Sequence, residues 1–381
     1  MHKFTTRKEY LIISLLWLFF QTLWYFYLGV EFGLESLKYI REAQYFIEHH
    51  HFSQSRYLFY GTTIFIIAFA NTLHLGLYGA LLIIMAINLA CYIFFFKALK
   101  GFFENNIPAF LVVVLLMSFW PYQSWSLYLF TECMFFSMVL LLFGYLLKMK
   151  GKALTSQVSL TMAFILFLLI ISRPLGILFV LPTLLFLFFK LSRRQRFYFL
   201  VSGGIFLILL NFVMQVVFTT TPDWNMTRAL TEDSFICDMP RADAKSQLDL
   251  TNHPNQFYQL FYYVTHNFSH FTGLAITRLK YFFLMVRDYY STFHNLYLIV
   301  YLVLFYGSLV IGGRRIIKAL PKGLNWFFAS SIILFASAIA LQCDDYHNRF
   351  FLTLTPFFAF TTVICWWETF KKVSFSKRHK D

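Results

Sequence analysis

The residues best suited to chemistry in this chain are a few carboxylates and arginines set among very apolar neighbours. Glu35, Tyr39 and Ala43 recur at intervals of four. A helix starting near Gly33 therefore puts a carboxylate, a phenol and a small residue that allows close approach on one face. A carboxylate partly desolvated by aromatic neighbours has its pKa raised toward values useful to a general base. The same residue near a helix N-terminus is also favoured by the dipole alone, and both readings stay open. Glu132, in Leu-Phe-Thr131-Glu132-Cys-Met-Phe-Phe, stands at the mouth of a strongly apolar run, where an ionisable group is costly and marks a candidate site. A helix-terminal Glu beside a capping Thr131 is the plainer alternative. Arg173 interrupts a long apolar run; its guanidinium suits pairing with Glu132 or binding a phosphate. Pro174 suits the first position of the next helix.

A second polar group is Cys343-Asp344-Asp345-Tyr346-His347-Asn348-Arg349. Asp344 and Asp345 offer a divalent cation two ligands without a clear third, so no cofactor is assigned and a divalent cation stays a weak alternative. Arg349 with His347 suits a phosphate better. His49, His50 and His51 point in different directions on a helix and read as a polar helix end. Cys91, Cys133 and Cys365 lie in apolar runs and behave as small apolar residues. Cys237 and Cys343 are candidates for a disulfide on an oxidising side of a membrane. No nucleotide-binding glycine loop, helical zincin motif or nucleophile elbow occurs.

The elements that must hold these residues follow from composition. Of 381 residues, 59% are hydrophobic, 22% aromatic and only 13% charged, which excludes a soluble globule, disorder and a coiled coil. Apolar runs predict an all-α polytopic membrane protein of about ten transmembrane helices, near 9–30, 77–96, 107–121, 127–147, 157–172, 174–189, 197–219, 293–312, 325–342 and 350–367. With both termini cytoplasmic, that side carries 21 basic and 4 acidic residues and the outer side 11 and 14, as the positive-inside rule demands. The net charge of +14 is thus an orientation signal rather than a nucleic-acid footprint. The whole chain, 1–381, reads as a single membrane domain. Residues 31–76 form a first outer loop with juxtamembrane helices. The stretch 57–73 is a juxtamembrane or re-entrant helix, or else a tight hairpin with the span at 77–96. Residues 220–292 form a large outer loop whose second half, with Arg278, Lys280 and Arg287 among aromatics, reads as an amphipathic helix.

Taken in order, Glu35-Ser36-x-x-Tyr39-x-x-x-Ala43, Pro121…Thr131-Glu132, Arg173-Pro174-x-Gly176 and Arg349-Phe350…Pro356 resemble the GT-C superfamily of integral-membrane glycosyltransferases, which includes protein O-mannosyltransferases and lipid A aminoarabinose transferases. The resemblance spans the whole architecture but rests on short motifs. It implies a GT-C-like fold and an inverting transfer of a sugar from a polyprenyl-phosphate donor to a glycan, lipid or protein acceptor, at the extracytoplasmic face of the inner membrane. It implies Glu35 as general base where the family usually has Asp, with Glu31 as substitute and Glu132 as the second catalytic carboxylate. Tyr39, Arg173, Arg278, Lys280, His347 and Arg349 are the implied substrate-binding residues, the cations among them facing the phosphate. A transporter or flippase for a lipid-linked or small polar substrate, using Glu132 and Arg173 as its path, is the alternative.

Overall fold

The computed structural model describes residues 2–220, 227–236, 247–343 and 347–378, and these are overwhelmingly helical. In chain order the helices are α1 (His2–Leu28), α2 (Ser36–His49), α3 (Gly61–Thr72), α4 (Gly76–Phe103), α5 (Asn106–Ser118), α6 (Trp120–Gln123), α7 (Glu132–Lys148), α8 (Ser156–Ile170), α9 (Val180–Phe188), α10 (Arg193–Thr220), α11 (Arg228–Thr231), α12 (Gln256–His266), α13 (Phe268–Leu284), α14 (Thr292–Ala319), α15 (Lys322–Leu341), α16 (Arg349–Leu352) and α17 (Thr355–Arg378).

Among the described residues, four helices are long and apolar enough to cross a membrane: Arg7–Leu28 within α1, α4, α14 and α15. A fifth is reached if α5 and the segment Trp120–Leu127, bent by 75° against it, form one span. Several expected runs are interrupted, each for a local reason. The bend falls at Phe119, just before Trp120-Pro121, where φ −77° and ψ 89° leave the helical region. Residues 174–189 are a six-residue 3-10 segment, Pro174–Phe179, followed by nine-residue α9. Arg173 is extended (φ −159°, ψ 149°), the conformation favoured before proline, and ends the α8 run. The last run is split into α16 and α17.

α7 is the central element, buried along nearly its whole length, and α4 packs along it. Between lipid-exposed helices there is little hydrophobic drive, so close aromatic and small-residue packing holds the bundle together. Phe143 of α7 sits edge-on to Phe328, Phe357 and Phe360, drawing in α15 and α17. α14 meets α17 so closely that a Cβ on Gly312 would lie 2.1 Å from Cys365 Sγ. A buried polar network crosses the same interior. Asn88 accepts from Trp17 Nε1 and donates to Ser137 Oγ, both at 2.9 Å, while Tyr92 donates to Gln123 Oε1 at 2.6 Å. In an apolar interior such groups must satisfy one another, and here they fix α1, α4, α6 and α7 in register.

The two ends of the bundle differ. At the far end of α7, Lys148 lies over Phe94, Lys150 donates to the Phe102 carbonyl, and Lys190 donates to the carbonyls of Met149 and Lys152. Two of the basic clusters expected on one side, Lys148/Lys150/Lys152 and the one that begins at Lys190, thus meet there. At the near end, α3 is bonded by its first turn to Ile171 and folds through His74 (φ 58°) and Gly76 (φ 64°) into the start of α4. α3 thus turns tightly into α4, with both of its ends at the near end. A 12-residue helix is about 18 Å long, short of the roughly 30 Å of hydrocarbon.

Candidate functional site

A backbone clasp assembles the near end. Glu31 and Tyr128 form an isolated parallel bridge, in which Glu31 N donates to the Leu127 carbonyl and Leu129 N to the Glu31 carbonyl, both at 3.2 Å. This holds the start of α2 beside the start of α7, and so brings Glu35 and Glu132 together from distant parts of the chain.

Glu35 occupies the N-cap of α2 but makes no side-chain cap bond. Its Oε1 accepts from Tyr39 OH at 2.8 Å and from Lys38 Nζ at 2.6 Å; its Oε2 accepts from Arg349 Nη1 at 2.6 Å. The expected face of Glu35, Tyr39 and Ala43 is present, with Tyr39 and Ala43 fully buried. Glu132 is also fully buried, and its Oε1 accepts from both Arg173 Nη1 and Arg349 Nη1. Its Oε2 has no hydrogen-bond partner among the described residues. Thr131 does not cap α7 through its side chain, so the carboxylate at the first turn is held by two guanidiniums and the helix dipole. Glu132, expected as the second catalytic carboxylate, is thus enclosed and paired with both guanidiniums.

Each cation is delivered by a particular turn. Arg173 precedes Pro174, and the chain then doubles back so tightly that a Cβ on Gly176 would lie 2.3 Å from the Leu169 carbonyl oxygen. Arg349 opens α16 directly after Asn348, whose left-handed conformation (φ 59°) suits asparagine. Asn348 Nδ2 donates to the Met285 carbonyl at 2.8 Å, fixing the turn against the segment after α13. Trp125 lies under the Arg349 guanidinium at 5.5 Å, with His347 edge-on to the same ring.

Electrostatics reverse one expectation. Burial raises the Glu35 pKa, but Arg349, Lys38 and Arg173 together outweigh it and hold the carboxyl well below the ordinary carboxylate range. The Tyr39 phenol is pushed well above its usual value by burial and by Glu35, and Tyr60 is pushed up to about 12, chiefly by burial. The cluster is therefore two carboxylates facing three cations, flanked by two phenols that keep their protons.

Other expected site residues lie elsewhere. Glu31 turns its Oε1 onto Gly33 N and belongs to the clasp rather than to the cluster. Arg278 is fully buried and donates to the carbonyls of Ser234, Ala229 and Ala340, so its guanidinium ties backbone segments together. Lys280 is exposed. Asp344 and Asp345 lie outside the described residues, and among those described no group of three or more His, Cys, Asp or Glu side chains could hold a metal ion. Cys343 is disulfide-bonded while Cys91, Cys133 and Cys365 are free; its expected partner, Cys237, lies outside the described residues. His49 and His51 are turned onto backbone carbonyls. Sequence reasoning missed Lys38, Tyr60, Trp125 and Asn348. Lys38 was the most legible of these, one residue before Tyr39 on the first turn of α2.

Compared with known protein families, curated proteins and solved structures, the chain gives no match. The geometry of the cluster carries the functional argument.

Proposed function

We propose that the chain is an inverting glycosyltransferase of the GT-C kind, moving a sugar from a polyprenyl-phosphate donor to an acceptor hydroxyl at the extracytoplasmic membrane face. The observation that carries this reading is the meeting of Glu35, Glu132, Arg173 and Arg349, four residues from four separate parts of the sequence, at one end of an apolar helical bundle. A phosphate leaving group needs no proton, so a single displacement requires one base and several cations rather than a paired acid and base. Glu35 takes the proton from the acceptor hydroxyl as its oxygen attacks the anomeric carbon. The bond from that carbon to the phosphate oxygen breaks, and the prenyl phosphate leaves with the electron pair. Arg349, Arg173 and Lys38 stabilise the charge that develops on it, and Tyr39 orients Glu35. Three cations against two carboxylates leave the cluster net positive, so these side chains do what a divalent cation would do, and none is assigned.

The reading includes ten crossings with cytoplasmic termini, under which this cluster faces the outer side of the inner membrane. Glu35→Gln tests the assignment: transfer falls by about 100-fold or more, as for loss of a positioned base, while expression is retained. Full activity in that variant refutes it.

The 75° bend between α5 and Trp120–Leu127 supports a second reading as a transporter, because discontinuous helices are used there to bind substrate. A transporter would move its substrate across a bilayer without breaking the bond to phosphate.

A further inference from the structure

In this structure the base and the cations proposed to hold the phosphate are bonded to one another. Arg349 Nη1 is shared between Glu35 Oε2 and Glu132 Oε1, and Lys38 Nζ is bonded to Glu35 Oε1. Both Glu35 oxygens are thus committed to the same cations that a departing phosphate needs. A carboxylate so paired is a poor acceptor of a hydroxyl proton.

The two carboxylates are not equivalent in this arrangement. Glu132 is completely inaccessible, whereas the Glu35 side chain keeps 24% of its surface and Lys38 keeps 38%. An anion arriving from outside therefore meets Lys38 and Glu35 first and cannot displace Glu132. Glu132 also has a spare acceptor, since its buried Oε2 has no hydrogen-bond partner among the described residues. That spare oxygen lets Glu132 keep hold of Arg349 and Arg173 when Arg349 exchanges its other partner.

We propose that the phosphate of the donor takes Arg349 and Lys38 from Glu35 while Glu132 anchors the two guanidiniums, so that Glu35 becomes a competent base only when a phosphate occupies the site. This rests on the glycosyltransferase reading and adds a gating step to it. The groups facing Glu35 are Lys38 and Tyr39 on its own helix, Tyr60 before α3, Glu132 on α7, Arg173 after α8 and Arg349 on α16. The Tyr39 and Tyr60 phenols stay protonated throughout, so the change falls on Glu35. The consequence is that a base surrounded by membrane-surface hydroxyls stays silent until a donor is present.

The test uses the purified full-length protein in lipid nanodiscs. Labelling of Glu35 by a carbodiimide and an amine, which requires the protonated carboxyl, is followed by peptide mass spectrometry from pH 4.5 to pH 8. The midpoint pH is the readout, because shielding by a ligand lowers the amplitude without moving the midpoint. Farnesyl phosphate, inorganic phosphate and farnesol are compared, with binding measured in parallel by calorimetry. We expect Glu35 to resist labelling across the range in the free protein and with farnesol. With farnesyl phosphate a labelling midpoint appears within the range, where the free protein shows none. A matching response to inorganic phosphate assigns the effect to the phosphate group, and its absence assigns it to the prenyl phosphate as a whole. Arg349→Gln moves the midpoint up without ligand. Farnesyl phosphate that binds while leaving Glu35 unlabelled overturns the gating and spares the enzyme reading. Failure of farnesyl phosphate to bind at all overturns both.

Discussion

Arg349 donates to Glu35 at 2.6 Å across 314 positions of sequence, and the same guanidinium nitrogen donates to Glu132. This bridge joins the first polar segment to the last through the buried centre of the chain. It makes the two carboxylates unequal: one is an accessible group paired to exchangeable cations, the other a buried anchor. Four predictions follow from that inequality and from the turns that deliver the cations.

Removing the anchor damages the fold more than removing the accessible carboxylate. Glu132→Ala leaves the Arg173 and Arg349 guanidiniums, 10% and 14% exposed, without their shared counter-ion. Breaking a buried pair in this way costs about 3–5 kcal/mol. Thermal unfolding in detergent should show a much lower midpoint, with a smaller loss for Glu132→Gln, which keeps one acceptor oxygen. An alanine variant as stable as the parent contradicts the anchoring role.

Glu35 gives a pH signature of opposite character. Its folded pKa lies below the unfolded carboxylate value of about 4.3 because Arg349, Lys38 and Arg173 favour the charged form. Its contribution to stability is therefore complete above that value and is lost as pH falls toward the folded one. Glu35→Gln should unfold more easily than the parent at neutral pH, and the gap should close in acid. A gap that widens in acid would mean that Glu35 is stabilised in its neutral form.

The turn that delivers Arg173 depends on the absence of a side chain. Gly176→Ala puts a Cβ 2.3 Å from a backbone carbonyl oxygen that cannot move cheaply, so the turn shifts and takes Arg173 with it. The variant should lose thermal stability and activity together. Gly273→Ala, in α13 with nothing within 4 Å of the added carbon, should be neutral or more stable by up to about 1 kcal/mol. Equal behaviour of the two variants contradicts the packing argument.

Arg278 tests the division between structural and binding cations. Its bonds to Ser234, Ala229 and Ala340 tie α11, the segment after it and α15 together around α13. Arg278→Gln should lower the unfolding midpoint and leave the donor KM of the folded fraction unchanged, whereas Arg349→Gln should raise that KM. A selective rise in donor KM for Arg278→Gln returns it to the phosphate site.

Much of this is legible in the sequence alone, for a physical reason. In a chain this apolar, each ionisable group must be paired or exposed, so Glu35, Glu132, Arg173 and Arg349 stood out by their cost alone. The spacing of Glu35 and Tyr39 also gave their contact. The Glu31–Tyr128 clasp was invisible, because a single backbone bridge has no residue signature. Interleaved cations on an aromatic helix look alike in sequence, and only the fold shows that three carbonyls converge on Arg278. The run at 107–121 reads as one span because hydropathy averages over Phe119, where the helix ends.

The central claim is that this cluster cleaves a sugar from a prenyl phosphate, and phosphorus NMR reads that event without knowledge of the sugar. Proteoliposomes containing the purified protein are supplied with a membrane extract of prenyl-phosphate sugars and acceptors. The phosphodiester signal should convert to a phosphomonoester with the parent protein and persist with Glu35→Gln. Conversion at equal rates in both, or in neither while the labelled lipid is carried intact across the bilayer, would contradict the account.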